Sequence, residues 1–208
     1  IFGEILSQFA PQFGTAKTIV EVGGGQGWAS CAVKRRYPAA QVTLTDAVEA
    51  AVSSAPIWER VFACALDRAV AAPAQSLPVA DDSTDLVFCY AAAHHFVDHV
   101  AALREAHRVL ALGGTCLWLY EPTSSSLFHG VAEARVNRKR VDVPEHVLVP
   151  TTVMAQARSI GFDATIVYAP SGLRRGRFES LYYSVLAFVP VLARLLPCTA
   201  HFAFKKRR

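Results

Sequence analysis

The sequence predicts an α/β protein: one doubly wound sheet of seven strands, mostly parallel with an antiparallel last strand, and helices on both faces. Three observations carry that expectation. Short apolar runs of strand length alternate with helix-length segments along the chain. One such run, Ile19 to Val22, passes into four glycines within positions 23–27 and then into a helix-like segment, Trp28 to Arg36. An acidic residue, Asp46, closes the next strand-like run nineteen positions after Gly27.

Taken in order, Ile5, Leu6 and Phe9 give Ile1 to Phe13 a helical face beside the sheet, ended by Gly14 and Thr15. The glycine strand follows. The first crossover helix stops at Tyr37-Pro38, because proline disfavours helix in the residue before it. Gln41 to Thr45 alternates as a second strand, and helices are expected over Ala47 to Ser54 and Trp58 to Leu66. Arg68 to Ala72 is a third strand, Pro73 to Pro78 a loop, and Asp85 to Tyr90 a fourth, buried strand. Asp98 is placed to cap a helix carrying Val100, Leu103, Ala106, His107 and Leu110, with Gly113-Gly114 as its stop. Thr115 to Tyr120 is a fifth strand, ended by Glu121-Pro122. Beyond it, Ser124 to Arg140 reads as helix, and Thr151 or Thr152 caps a short helix to Ser159 closed by Gly161. Asp163 to Tyr168 is a sixth strand. Phe178 to Leu196 is helix broken near Pro190, and Thr199 to Phe204 is a seventh strand that can insert antiparallel.

At 208 residues, 52% hydrophobic and 18% charged, the chain reads as one domain, 1–208, with a full layered core rather than a disordered segment. Net charge is +4, and its dense basic groups are Arg138 to Arg140 and Lys205 to Arg208. The basic tail reads as a solvated terminus, with contact to nucleic acid or anionic lipid as the less favoured alternative, and nucleic acid is not an expected partner. Five scattered cysteines, without a CxxC pair, point to reduced thiols in a cytoplasmic setting. The chain opens at Ile1 rather than Met, so a missing targeting segment stays open. No cluster has metal-ligand spacing. The apolar stretch Leu181 to Leu196 holds Pro190 and Arg194 and is short for a membrane span.

Strand, glycine turn and helix together let a backbone approach a cofactor closely and aim helix amides at it. The plain alternative is an ordinary glycine turn. A carboxylate at the end of the second strand, at Asp46, is placed to accept hydrogen bonds from ribose hydroxyls, with helix capping as its alternative role. The motifs stand in a fixed order: Glu21-Val22-Gly23-Gly24-Gly25-Gln26-Gly27, Asp46, Leu77-Pro78 with Asp82 to Val87, His94-His95, and Glu105 to Gly114. In that order, over roughly residues 18–122, the sequence resembles class I S-adenosylmethionine-dependent methyltransferases, especially the quinone-biosynthesis-like group, with their Rossmann-like fold.

The resemblance implies S-adenosylmethionine as cofactor. It implies that the loop Gly23, Gly24, Gly25 and Gly27 lies against the methionine and ribose portion, with Glu21 organising the strand end near the ammonium group. Asp46 would bind the ribose hydroxyls, Ala47 would lie beside the adenine, Ala74 and Gln75 would meet the adenine edge, and Tyr90 would line the methionine side. Pro73 stands where the family often has an acidic residue, and Gly24 where it often has a small polar residue or Cys.

His94 and His95 are the candidate general bases, with a structural role for one of them as the alternative. Acceptor choice is expected from residues 123–197, and the acceptor is a small molecule, apolar or aromatic in one reading. The run Leu181 to Pro190 reads first as a helix buried against the sheet; a lid, or a peripheral membrane contact, is the less favoured reading. Two other functions are weighed. An NAD(P)-dependent oxidoreductase uses the same plan but wants Gly-x-Gly-x-x-Gly, which the Gly27 spacing misses. A domain that keeps the fold without catalysis is the other.

Overall fold

The computed structural model describes residues 1–138, 145–170 and 176–207. Two short helices open the chain, α1 (Phe2–Gln8) and α2 (Ala10–Thr15). Then come β1 (Thr18–Val22), α3 (Trp28–Arg36), β2 (Gln41–Asp46), α4 (Glu49–Val52), α5 (Ala55–Phe62), β3 (Arg68–Ala71) and β4 (Thr84–Tyr90). A 3-10 turn, Ala93–His95, leads to α6 (His99–Val109) and the long β5 (Leu110–Thr123). The remainder is α7 (His129–Val136), α8 (Pro150–Ile160), β6 (Phe162–Tyr168), α9 (Gly176–Phe188), α10 (Pro190–Leu195) and β7 (Cys198–Lys206).

The seven strands form one sheet in the order β3-β2-β1-β4-β5-β7-β6. The first five in sequence pair in parallel, and β7 inserts antiparallel between β5 and β6. The strand order reverses between β1 and β4, so a crevice opens at their carboxyl ends. Alternation along the strands builds both faces at once. Ile19, Leu86, Phe88, Leu117 and Leu119 turn toward α1, α2 and α3. Val20, Val22, Val87, Cys89, Cys116 and Trp118 turn the other way, toward Leu103 and Ala106 of α6 and Met154 and Ala157 of α8.

Several expected boundaries move, each for a local reason. The N-terminal segment is two helices because Phe9 leaves helical geometry before α2 starts at Ala10 with Pro11 in its first turn. Asp46 Oδ1 accepts from the Val48 amide at 2.8 Å, holding Ala47 and Val48 in a turn, so α4 begins only at Glu49. Helix α5 ends at Phe62 because Ala63 adopts a left-handed φ of 50°. The pair Gly113-Gly114 does not stop α6: the helix ends when Leu110 becomes extended, and both glycines lie inside β5. A Cβ at Gly114 would meet the carbonyl oxygens of Ala111 at 2.9 Å and Asp85 at 3.0 Å, so glycine lets the strand pass there. Glu121-Pro122 does not end β5 either, since pairing with β7 runs to Thr123. Neither Thr151 nor Thr152 caps α8, which starts at Pro150 with no side-chain cap. Helix α7 covers only part of the expected Ser124 to Arg140 segment, whose end at 139–140 lies outside the described residues. So does Arg208 of the basic tail.

The largest correction concerns α9. The run Leu181 to Pro190 is not buried against the sheet. Leu186 is its one buried residue in α9, while Leu181, Val185 and Phe188 are exposed. Helices α6 and α8 already cover that face of the sheet, and α9 instead packs its Tyr182, Tyr183 and Leu186 with Ala193 and Cys198. No helix among the described residues is long and apolar enough to cross a membrane.

Candidate functional site

A cavity of about 320 Å³ lies in the crevice, lined by Glu21, Gly23, Gly24, Gly25, Trp28 and Tyr90 among others. The glycines have separate reasons to be there. Gly23 and Gly25 have φ of 67° and 55°, where a side chain is strained. A Cβ at Gly24 would sit 2.5 Å from Leu44 Cδ1 and 2.6 Å from Glu21 Cδ, and one at Gly27 would sit 2.6 Å from Leu44 Cδ2. A Cβ at Gly25 would meet nothing within 4 Å. The loop is therefore packed tight on its protein side and open on its cavity side. Helix α3 starts at once after it with no side-chain cap, so its first-turn amides face this end.

Glu21 forms the floor. It is 1% exposed, and its carboxyl accepts a short hydrogen bond from the Ser30 hydroxyl. Burial pushes it up to about 7, against the lowering effect of Ser30. Asp46 Oδ2 accepts from the Gly25 amide at 2.8 Å, tying the loop to the end of β2. The Ala72 amide bonds the Asp46 carbonyl at 2.8 Å, which brings the loop after β3 alongside. Ala47 and Gln75 are exposed and Ala74 is half-buried against the core; none of the three lines the cavity. The 77–82 loop is held by α6. Glu105 accepts from the Leu77 amide at 2.6 Å, and Arg108 donates to the Leu77 and Val79 carbonyls at 3.1 and 3.0 Å.

The Tyr90 ring makes edge contacts to Phe2 and Trp28 and stacks on Tyr120 at 5.4 Å. Burial pushes its hydroxyl up to about 12. The backbone here is strained just past β4 and within β5, with left-handed φ of 49° at Ala91 and 63° at Tyr120. The pairing of β5 with β7 also shifts register between Trp118 and Glu121. The Tyr120 amide donates to His201 Nδ1 at 2.8 Å, so His201 carries its proton on Nε2, and burial holds it down at about 4.

The histidine turn packs against the glycine loop: a Cβ at Gly23 would be 3.0 Å from Ala92 Cβ and 3.3 Å from Phe96. Its geometry separates the two histidines. His94 is buried, with Nδ1 2.8 Å from Glu121 Oε2, and its ring lies 4.0 Å from that of the exposed His95.

Glu121 was missed in the sequence, where it reads as a strand-ending turn. It is 0% exposed and accepts from the amides of Ala92 and Ala93 at 3.0 Å and of His94 at 3.1 Å. A carboxylate among three amides and an imidazole is a clamp for the turn after β4. The available signal was one acid continuing an apolar strand, Thr115 to Tyr120, in a chain with a buried-strand pattern.

A second cavity, of about 410 Å³, opens at the carboxyl end of β5 and the start of β7, with Thr123, Arg135, Phe178, Tyr182, Tyr183 and Cys198 among its walls. Tyr182 donates to the Pro197 carbonyl at 2.7 Å. Burial pushes the Tyr183 hydroxyl up. Glu179 lies 3.5 Å from Arg135, and its Oε2 is buried without a partner. Among the described residues no group of His, Cys, Asp and Glu is arranged to hold a metal.

A doubly wound sheet with a glycine cradle at its switch point defines an α/β protein built to hold a nucleotide-like cofactor. Residues 20–118, just under half of the chain, match a methyltransferase domain, and the chain has the fold of solved S-adenosylmethionine-dependent methyltransferases. It is 30% identical over 104 residues to a malonyl-[acyl-carrier protein] O-methyltransferase of Gallionella capsiferriformans, covering 48% of this chain and 36% of that protein. To the uncharacterized methyltransferase YcgJ of Bacillus subtilis it is 36% identical over 92 residues, 43% of this chain and 36% of that protein. The chain thus spans less than half the length of these curated relatives. The solved YcgJ structure superposes with a TM-score of 0.71 at 18% identity, over 100% of this chain and 98% of that one. Geranyl diphosphate C-methyltransferase of Streptomyces coelicolor, solved with Mg2+, geranyl diphosphate and S-adenosyl-L-homocysteine, gives 0.71 at 15% identity over 98% and 77%. At these identities the solved structures establish the fold.

Proposed function

We propose that the chain transfers a methyl group from S-adenosylmethionine to a small acceptor with an apolar or aromatic body. In this reading residues 18–122 of a single domain hold the cofactor and residues 123–197 select the acceptor. One observation carries it: the Gly23–Gly27 loop leaves no room on its protein side, yet is open at Gly25, where any side chain would fill the cavity. The residues present fit the group. Glu21, Gly23, Gly24, Gly25 and Tyr90 would face its methionine part, with Gly27 shaping the turn. Asp46 would take the ribose hydroxyls, and Ala47, Ala74 and Gln75 the adenine. Burial makes an ionised Glu21 costly, and a cation beside it would relieve that cost.

S-adenosylmethionine supplies an activated methyl group with a neutral thioether as leaving group. The protein's part is then to align the acceptor and exclude water. Tyr90 walls the cofactor cavity, and Tyr182 and Tyr183 wall the second cavity, whose aromatic sides suit a flat or apolar body. His95, exposed on the turn after β4, is the residue assigned to take a proton from a hydroxyl or amine nucleophile. The five free cysteines suit a reducing compartment such as the cytoplasm.

The test is calorimetric titration with S-adenosylmethionine, S-adenosylhomocysteine and NADH. The reading expects both sulfur compounds to bind and NADH not to bind. Asp46→Ala should weaken S-adenosylmethionine by about tenfold or more, the loss of a charge-assisted contact. Binding of NADH alone, or an Asp46→Ala variant that binds as tightly as the parent, would overturn it.

A further inference from the structure

Helix α9 carries two apolar stripes. One, formed by Tyr182, Tyr183 and Leu186 with Glu179 beside them, faces inward: the tyrosines and Glu179 wall the second cavity, and Leu186 packs with Ala193 and Cys198. The other recurs at three- and four-residue intervals, Phe178, Leu181, Val185 and Phe188, and is open, at 91%, 64%, 43% and 88% exposure. Exposure continues past Pro190 through Val191 and Leu195 of α10. Solvent-facing apolar stripes of this length mark an interaction surface.

The charges say what kind. Over residues 176–196 the charged side chains are Arg177, Glu179 and Arg194. Glu179 faces inward and pairs with Arg135, so the two exposed arginines give the outer side a positive rim. By helical spacing Arg177 borders the stripe formed by Phe178 and Phe188. We propose that the outer faces of α9 and α10 dock on an anionic lipid bilayer surface, apolar stripe inserted and arginines at the headgroups. A two-fold pairing with a second copy fits less well. It would bring arginines toward arginines, with no acid on this outer face to pair them. Docking goes beyond the methyl-transfer reading and is measured without the cofactor. Its consequence for that reading is that Phe178, at the mouth of the second cavity, would stand at the lipid boundary, where apolar molecules concentrate.

The experiment is flotation of the full chain with vesicles of phosphatidylcholine alone and of phosphatidylcholine mixed with phosphatidylglycerol. Binding to the mixed vesicles, weakened by salt, is expected. Leu181→Ser with Phe188→Ser should lower the partition coefficient about a hundredfold, by removing inserted apolar area. Arg177→Gln with Arg194→Gln should lower it about tenfold and flatten the salt dependence. All four side chains are exposed, and an unchanged thermal midpoint would verify the fold of each variant. Absence of binding to the mixed vesicles would overturn the proposal. So would binding that neither pair of substitutions alters. Lipid-independent self-association abolished by the Leu181 and Phe188 substitutions, without vesicle binding, would assign the face to a second copy instead.

Discussion

On the β1–β2 side of the crevice, Gly24 and Gly27 lie so close to Leu44 and Glu21 that a single added carbon has no place. On the β5–β7 side, Thr123, Tyr183 and Cys198 stand around a cavity of about 410 Å³, under a helix whose far side is bare. The first region is set by close packing and buried polar pairs, the second by loosely covered aromatic walls. In the proposed function the first region holds the cofactor and the second the acceptor. The boundary between them is Glu121, whose carboxylate fixes the turn that the glycine loop leans on.

That contrast can be broken most sharply at Glu121. Glu121→Ala would strand three buried amides and the His94 ring, and should cost about 3–5 kcal/mol in urea unfolding. A loss below about 1 kcal/mol would mean that the clamp does not hold the turn.

The next effect is a pH tilt. Glu21 is raised from 4.5 to about 7, so the folded state holds its proton more tightly than the unfolded one. Its contribution of about 3 kcal/mol is fully present below about 4.5 and lost as pH rises through about 7. His201 is lowered from 6.5 to about 4 and acts oppositely: its contribution is present above 6.5 and lost as pH falls through about 4. The two slopes oppose each other where they overlap. Glu21→Gln should leave the His201 slope alone, so that stability rises with pH from about 4 to 6.5. Urea midpoints across that window check the sign.

A smaller loss is expected at Gly27→Ala, about 2 kcal/mol, because the new carbon meets Leu44 and φ is 84°. The same variant should bind S-adenosylmethionine poorly in calorimetry. The smallest effect belongs to the open side. Tyr183→Phe should leave stability within about 0.5 kcal/mol and alter KM for the acceptor rather than cofactor affinity. A Tyr183→Phe change in cofactor affinity instead would erase the division between the two regions.

Much of the tight region was legible. Strand alternation places Ile19, Leu86 and Phe88 on one face and Val20, Val87 and Cys89 on the other, and the glycine loop with Asp46 sits where its spacing put it. Glu121 was not legible, because a charged residue before proline looks like a turn until the buried amides and the His94 ring are seen around it. Gly113-Gly114 misled for a similar reason: glycine after a helix commonly caps it, yet here it lets β5 cross the Asp85 carbonyl. The burial of α9 failed because a helix apolar on two sides does not reveal which side is already covered. His94 and His95, adjacent in sequence, divide into a clamped ring and an exposed one only through tertiary contacts.

The strand order also constrains how the chain can be made. Strand β6 is synthesised before β7, yet β7 is its neighbour in the sheet and also its link to β5. As the nascent chain emerges, β1 to β5 can assemble while β6 waits with an unpaired edge. Such waiting edges are where chaperones and aggregation compete. A chain truncated between Tyr168 and Cys198 should therefore leave a protease-resistant core ending near β5, with β6 still open to cleavage.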